Sequence, residues 1–157
     1  MTIAYGYVAP STAGAILVGD PQAEELQIKT IDTGYARVGR LVMLDTDDAH
    51  CKVAGAGEAR VIGYIQFESS NGKDSDANGV DSDFTAEDPI RIGHGPAVVL
   101  LYATTGQTIV KGDLLYPAAH GALKNSATST ESAVAKAEKS VTTTTLAEDE
   151  ILVRWLN

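Results

Sequence analysis

The chain has 157 residues, with 12 Lys/Arg against 21 Asp/Glu and a formal net charge of −9. A chain of this length fits one domain that buries a core without disulfides, and the single Cys51 has no internal partner to oxidise with. The acidity argues against sequence-independent nucleic-acid binding, which needs Lys/Arg to neutralise phosphates, and against anionic membranes.

Residues 1–23 are rich in Ala, Gly, Thr and Tyr, broken by Pro10 and Pro21. Ile3, Tyr5 and Tyr7 alternate with small residues in a strand-like pattern, and Ala15-Ile16-Leu17-Val18 is a short apolar run closed by Gly19-Asp20-Pro21. This stretch reads as an extended N-terminal arm with one or two strand pieces, or equally as an ordinary first strand, ahead of a single β domain over 24–157. No basic region followed by a long apolar run opens the chain, so no signal peptide is expected and the protein is expected to be made in a cytoplasm.

Leu26 to Ile31 alternates apolar and polar, which predicts a half-buried strand, and Asp32-Thr33-Gly34 supplies a turn. Leu41-Val42-Met43-Leu44 is continuously apolar and reads as a fully buried strand. Cys51-Lys52-Val53 and Ala59 to Phe67 are further strands. Residues 69–88 are Ser, Asn, Gly and Asp with almost no apolar side chains, which predicts an exposed acidic loop of a length that suggests function.

Ile90-Arg91-Ile92 alternates again, and Ala97 to Tyr102 is the strongest central-strand candidate. Its apolar run, Ala97 to Ala103, is far too short to span a bilayer. Thr108-Ile109-Val110, Leu114-Leu115-Tyr116-Pro117 and Gly121 to Lys124 are short strands between turns. The Ala, Lys and Glu of 132–139 favour helix by propensity, but their place in the pattern favours strand, and strand is the expectation. Thr-rich 140–146 and the terminal Ile151 to Leu156 complete the set.

A phrase recurs along this path. Val38-Gly39-Arg40-Leu41-Val42-Met43 returns as Val110-Lys111-Gly112-Asp113-Leu114-Leu115-Tyr116, and Val61-Ile62-Gly63-Tyr64-Ile65 follows the first glycine as Val134-Ala135-Lys136-Ala137 follows the second. A turn glycine, a short apolar strand, a polar loop and a second strand read as one unit used twice, with coincidence between two ordinary turn-plus-strand segments as the alternative. Short strands, frequent turns and no long amphipathic helix predict an all-β barrel or sandwich.

Few residues carry chemistry. Asp74-Ser75-Asp76-Ala77-Asn78-Gly79 matches the opening of an EF-hand-type calcium loop, with oxygen ligands at Asp74, Asp76 and Asn78 and a glycine for the sharp turn. The bidentate Glu expected at position 12 of such a loop is Thr85, so a solvated acidic loop stands beside calcium as the reading of this segment. His50, His94 and His120 lack zinc-site spacing, and no nucleophile elbow, zincin helix or dinucleotide fingerprint is present. Tyr5 and Tyr7 have the stronger case as interface anchors, because an arm has little core of its own to join.

Taken in order, Gly39-Arg40-Leu41-Val42, Val61-Ile62-Gly63-Tyr64, Val110 to Tyr116, Ala133 to Ala137 and Val153-Arg154-Trp155-Leu156 resemble the β-tulip head-decoration, or capsid cement, proteins of tailed viruses. The resemblance covers roughly residues 25–157. It implies a compact β-tulip-like domain that forms a homotrimer on the outside of a viral head, contacts the major capsid protein through arms or loops, and has no catalytic residues or cofactor. It places the protein in the virion, on the capsid surface, and Ile3, Tyr5 and Tyr7 become the candidate capsid contacts. The acidic insertion at 69–88 and the Ala/Lys/Glu segment near 135 depart from the family pattern. The alternatives are a calcium-stabilised adhesion module and a β-barrel enzyme with a carboxylate-lined pocket.

Overall fold

The computed structural model describes residues 13–14, 16–19, 22–66 and 83–156. The chain is nearly all β, as its pattern of short strands and turns predicts. Thirteen strands run in order: β1 Ile16–Gly19, β2 Gln22–Thr30, β3 Leu41–Leu44, β4 His50–Val53, β5 Val61–Ile65, β6 Pro89–His94, β7 Ala97–Ala103, β8 Thr108–Ile109, β9 Leu114–Pro117, β10 Leu123–Lys124, β11 Ala135–Ala137, β12 Val141–Thr142 and β13 Asp149–Trp155. A 3-10 turn at Ala119–Gly121 joins β9 to β10.

The strands form two closed rings. In the first, β2 pairs in parallel with β4 and antiparallel with β6, and antiparallel β4–β3, β3–β5 and β5–β6 pairs complete the barrel. In the second, β7 pairs in parallel with β10 and antiparallel with β13, and antiparallel β10–β9, β9–β11 and β11–β13 pairs complete the circuit. Strand order and direction are the same in both.

The registers agree as well. Leu26 faces Ile90 as Leu101 faces Ile151, and Ile28 pairs with Cys51 as Ala103 pairs with Leu123. Leu44 pairs with Cys51 as Pro117 with Leu123, Val42 with Gly63 as Leu115 with Ala135, and Ile65 with Ile92 as Ala137 with Val153. The repeated glycines hold the same post. Gly39 N–H donates to Ile65 O and Gly112 N–H to Ala137 O, both at 2.8 Å. Both sit at positive φ, +83° and +98°, where a side chain is strained. The repeat in the sequence is thus one ring built twice.

Each ring encloses side chains from the inward parity of its strands. Ile28, Val42, Cys51, Ile65, Ile90 and Ile92 fill the first, capped by Phe84, Ala36 and Val38. Val99, Leu101, Leu115, Leu123, Ile151 and Val153 fill the second, where Ala103, Ala135 and Ala137 leave room. Burying each large aliphatic contributes about 1.5–3 kcal/mol, and closure satisfies the strand edges that an open sheet would expose. The rings lie against each other. Leu41, Met43 and Tyr64, on the outer parity of the first ring, join the second ring's core cluster, and the Tyr64 ring meets Trp155 edge-on at 5.2 Å and 72°.

Several boundaries differ from the sequence expectations. The boundary drawn between 23 and 24 falls inside β2, and β1 adds to the edge of β7, beside the second ring. Leu44, expected to be buried, is 36% exposed at the end of β3. The strand chosen for 132–139 is present as Ala135–Ala137, and of the Thr-rich 140–146 only Val141–Thr142 pairs, with β8. The acidic stretch lies in the β5–β6 connection, residues 66–88, whose counterpart in the second ring is the shorter 138–148.

Candidate functional site

The most elaborate side-chain arrangement among the described residues sits on the seam between the rings. It is built on Arg40, which follows the positive-φ Gly39 and opens β3 inward from the turn. Arg40 is 5% exposed. Its guanidinium makes a two-pronged pair with Glu148, Nη2 to Oε1 at 2.7 Å and Nη1 to Oε2 at 2.9 Å, and Nη1 also donates to His120 O at 3.2 Å. It lies 4.2 Å from the Tyr102 ring centroid and 5.0 Å from that of Tyr35. The cation thus lies within reach of two aromatic quadrupoles. His120 stacks on Tyr35 at 4.0 Å and its Nδ1 meets Asp32 Oδ2 at 2.8 Å. Its φ of +58° is unusual for a non-glycine residue.

These contacts tie the rings together: Tyr35, Asp32 and Arg40 precede or belong to the first, and Tyr102, His120 and Glu148 to the second. The same seam holds Gly121, whose N–H donates to Ala54 O at 2.8 Å. A Cβ there would lie 2.8 Å from Val53 Cγ1 and 2.9 Å from Leu41 O, so the β9–β10 turn seats on the first ring at a distance only glycine permits. Arg40 Nε, Tyr64 Oη and Trp155 Nε1 are buried on this seam without a hydrogen-bond partner among the described residues.

A second cluster lies on the β3–β4 turn. His50 Nδ1 meets Asp47 Oδ1 at 2.7 Å and its Nε2 approaches Glu87 Oε2 at 3.4 Å. The hydrogen bond to Asp47 raises the imidazole above its ordinary range, and the same bond, with one from Ala49 N–H, lowers the Asp47 carboxyl. Glu87 adopts φ +71°. The turn also carries Asp45 and Asp48, and a shallow groove beside it is lined by Glu25, Gln27, Asp48 and Pro89. Cys51 points into the first ring, where burial pushes its thiol up to about 12, so it stays protonated and inert.

Charge is divided unevenly between the halves. Residues 1–96 hold 7 Lys/Arg and 15 Asp/Glu, and residues 97–157 hold 5 and 6. The outer faces of the rings differ accordingly. Cross-strand partners Glu25 and Arg91 on β2 and β6 occupy the positions held by Leu100 and Leu152 on β7 and β13. That second pair floors an apolar groove of about 250 Å³, closed by Val141 and rimmed by Lys139 and Glu150. Burial, and then Asp149 beside it, raises the Glu150 carboxyl.

The sequence-predicted sites fare unevenly. Ile3, Tyr5 and Tyr7 lie outside the described residues, as do Asp74, Asp76 and Asn78. The last residues of the acidic stretch, 83–88, are described. Asp83 accepts from Gly34 N–H and Arg37 Nε at 2.8 Å each, Thr85 donates to Asp88, and Glu87 faces His50. Asp83 and Glu87, downstream of the calcium-like motif, therefore have protein partners. No group of three or more His, Cys, Asp or Glu positioned for a metal occurs among the described residues. The Arg40 seam escaped the sequence reading because its partners lie far along the chain; the only local signal was an arginine placed directly after a turn glycine and before an apolar run. In comparison with known proteins, no family model and no curated protein matches the chain.

Proposed function

We propose that this chain is a structural decoration protein, one that binds the outside of a tailed-virus head as a trimer and stabilises the assembled shell. The observation that carries the reading is the placement of β1. It adds to the edge of β7, and Gly14 N–H donates to Leu100 O at 2.6 Å. Gly14 and β1 therefore lie at a sheet edge of a ring-closed body, and a segment that leads into such an edge can add contacts to a neighbour. The order of strand motifs that resembles the β-tulip proteins supports the same reading. So does the seam chemistry, which serves rigidity. A body that binds only the assembled lattice stabilises it by mass action, and several weak contacts made at once give the avidity such binding needs.

The test is co-sedimentation with expanded shells of the cognate major capsid protein. The full chain should saturate the shell exterior. A chain lacking residues 2–12, which keeps β1 and Ala13, should retain its melting temperature and lose about tenfold or more in retention, the scale of one lost avidity contact. Unchanged retention would remove Ile3, Tyr5 and Tyr7 as capsid contacts.

A further inference from the structure

We propose that the outer face of the second ring, at Leu114, Tyr116, Lys124 and Lys136, docks the acidic β3–β4 turn of a second copy of this chain, head to tail. The proposal deepens the decoration reading and rests on its self-association.

The argument comes from the repeat. Within one chain, the first ring's outer face is covered by the second ring. Leu41 and its cross-strand partner Tyr64 are fully buried there, and the β9–β10 turn seats beside them through Gly121. The matching registers identify the counterpart face on the second ring: Leu114 stands for Leu41, its partner Lys136 for Tyr64, and Tyr116 for Met43. Nothing in the chain's described residues covers it. Leu114 is 48% exposed and Lys136 projects to solvent.

The counterpart of the seated turn is equally uncovered. Ala118 N–H to Ala122 O closes the β9–β10 turn as Asp45 N–H to His50 O closes the β3–β4 turn. Pro117 and Ala118 are buried where the former seats; Leu44 and Asp45, their equivalents, are 36% and partly exposed. So the two halves of the internal contact each have an unused duplicate, and each duplicate carries an exposed leucine. Their charges are complementary. The turn presents Asp45, Asp47 and Asp48, of which Asp47 holds His50, and Lys29 on β2 reaches over to Thr46. The face presents Lys136 and Lys124, the latter bonded to the Thr128 hydroxyl. Nearby Arg154 pairs with Glu138, and Asp113 accepts from Val110 N–H.

A contact between two different patches of the same chain is heterologous, and such contacts form rings where the rotation between copies closes and open filaments where it does not. Charge complementarity fixes register and suppresses wrong partners.

Light scattering across a concentration series, on purified protein without capsids, tests this. Lys136→Glu alone and Asp48→Lys alone should each weaken self-association about tenfold or more, because each sets like charges opposite. The double variant, Lys136→Glu with Asp48→Lys in one chain, should restore it, since every contact then sets opposite charges against each other. Arg60→Glu, an equal charge change on the first ring, should leave association unchanged, and Leu114→Ser should weaken it without altering charge. A parent chain that stays monomeric, association indifferent to both reversals, or a double variant that is not restored would each overturn the proposal. A chain that associates as described but ignores capsid shells would sink the decoration reading and leave this inference standing.

Discussion

Arg40 concentrates more interactions than any other described side chain on the seam, and its removal should be felt through the whole fold. Arg40→Ala takes away a buried, doubly hydrogen-bonded partner of Glu148 and the cation beside Tyr35 and Tyr102. Breaking one side of a buried pair costs about 3 kcal/mol, or roughly 6–12 °C in melting temperature for a chain of this size. A calorimetric shift under about 2 °C would show that the seam does not hold the rings. The two turn glycines separate backbone strain from packing. Both sit at positive φ, but a Cβ on Gly39 would lie 2.6 Å from Ala13 Cβ, whereas one on Gly112 meets nothing within 4 Å. Gly112→Ala should cost about 1–2 kcal/mol from left-handed strain alone, and Gly39→Ala measurably more. Equal costs in denaturant melts would contradict the close approach at Gly39.

His50 gives a pH signature. Its value is raised above 6.5 and that of Asp47 lowered below 3.8, each chiefly by their shared hydrogen bond. For a raised histidine, the stabilisation is complete below its ordinary value and is lost as pH climbs through the raised one. For a lowered carboxylate, it is present above the ordinary value and lost as pH falls through the lowered one. The pair therefore contributes across mildly acidic pH and fades on either side. Asp47→Asn should return the His50 titration, followed by NMR, toward 6.5; a titration unmoved by that substitution would show that Asp47 is not its partner.

Among the elements, the strands with clean alternation or continuous apolar runs were readable before any coordinates, because inward parity in a small closed ring demands such residues. Leu26 to Ile31 and Ala97 to Ala103 illustrate both patterns. Ala135–Ala137 was readable only through its place in the repeat, since Ala, Lys and Glu favour helix; antiparallel pairing with β9 and β13 on both sides overrides that propensity. Leu44 was misplaced because a run of four apolar residues hides which one ends the strand at a turn. Ring closure was not readable. It depends on the parallel β2–β4 and β7–β10 pairs, and a parallel pairing between strands that are not neighbours leaves no local trace. The candidate sites divide in the same way. The calcium motif was visible as a local pattern and the Arg40 seam was not, since Glu148, Tyr102 and Arg40 come together only when both rings have formed.

At the scale of the molecule, one ring built twice yields a rigid body with an acidic half and a nearly neutral half, with β1 laid along one edge. Millimolar calcium should leave its melting temperature unchanged, because Asp83, Glu87 and Asp88 are already engaged with Arg37, His50 and Thr85; a calcium-dependent rise would instead favour an adhesion module ordered at 69–88. The central claim is that this body is a shell component rather than a catalyst. Its most direct test is co-sedimentation of the purified chain with expanded, undecorated shells of the cognate major capsid protein. The account predicts saturable binding to the shell exterior, with decorated shells resisting heat or low-salt disruption better than bare ones. Shells that bind none of the chain, or bind it with no gain in stability, would contradict it.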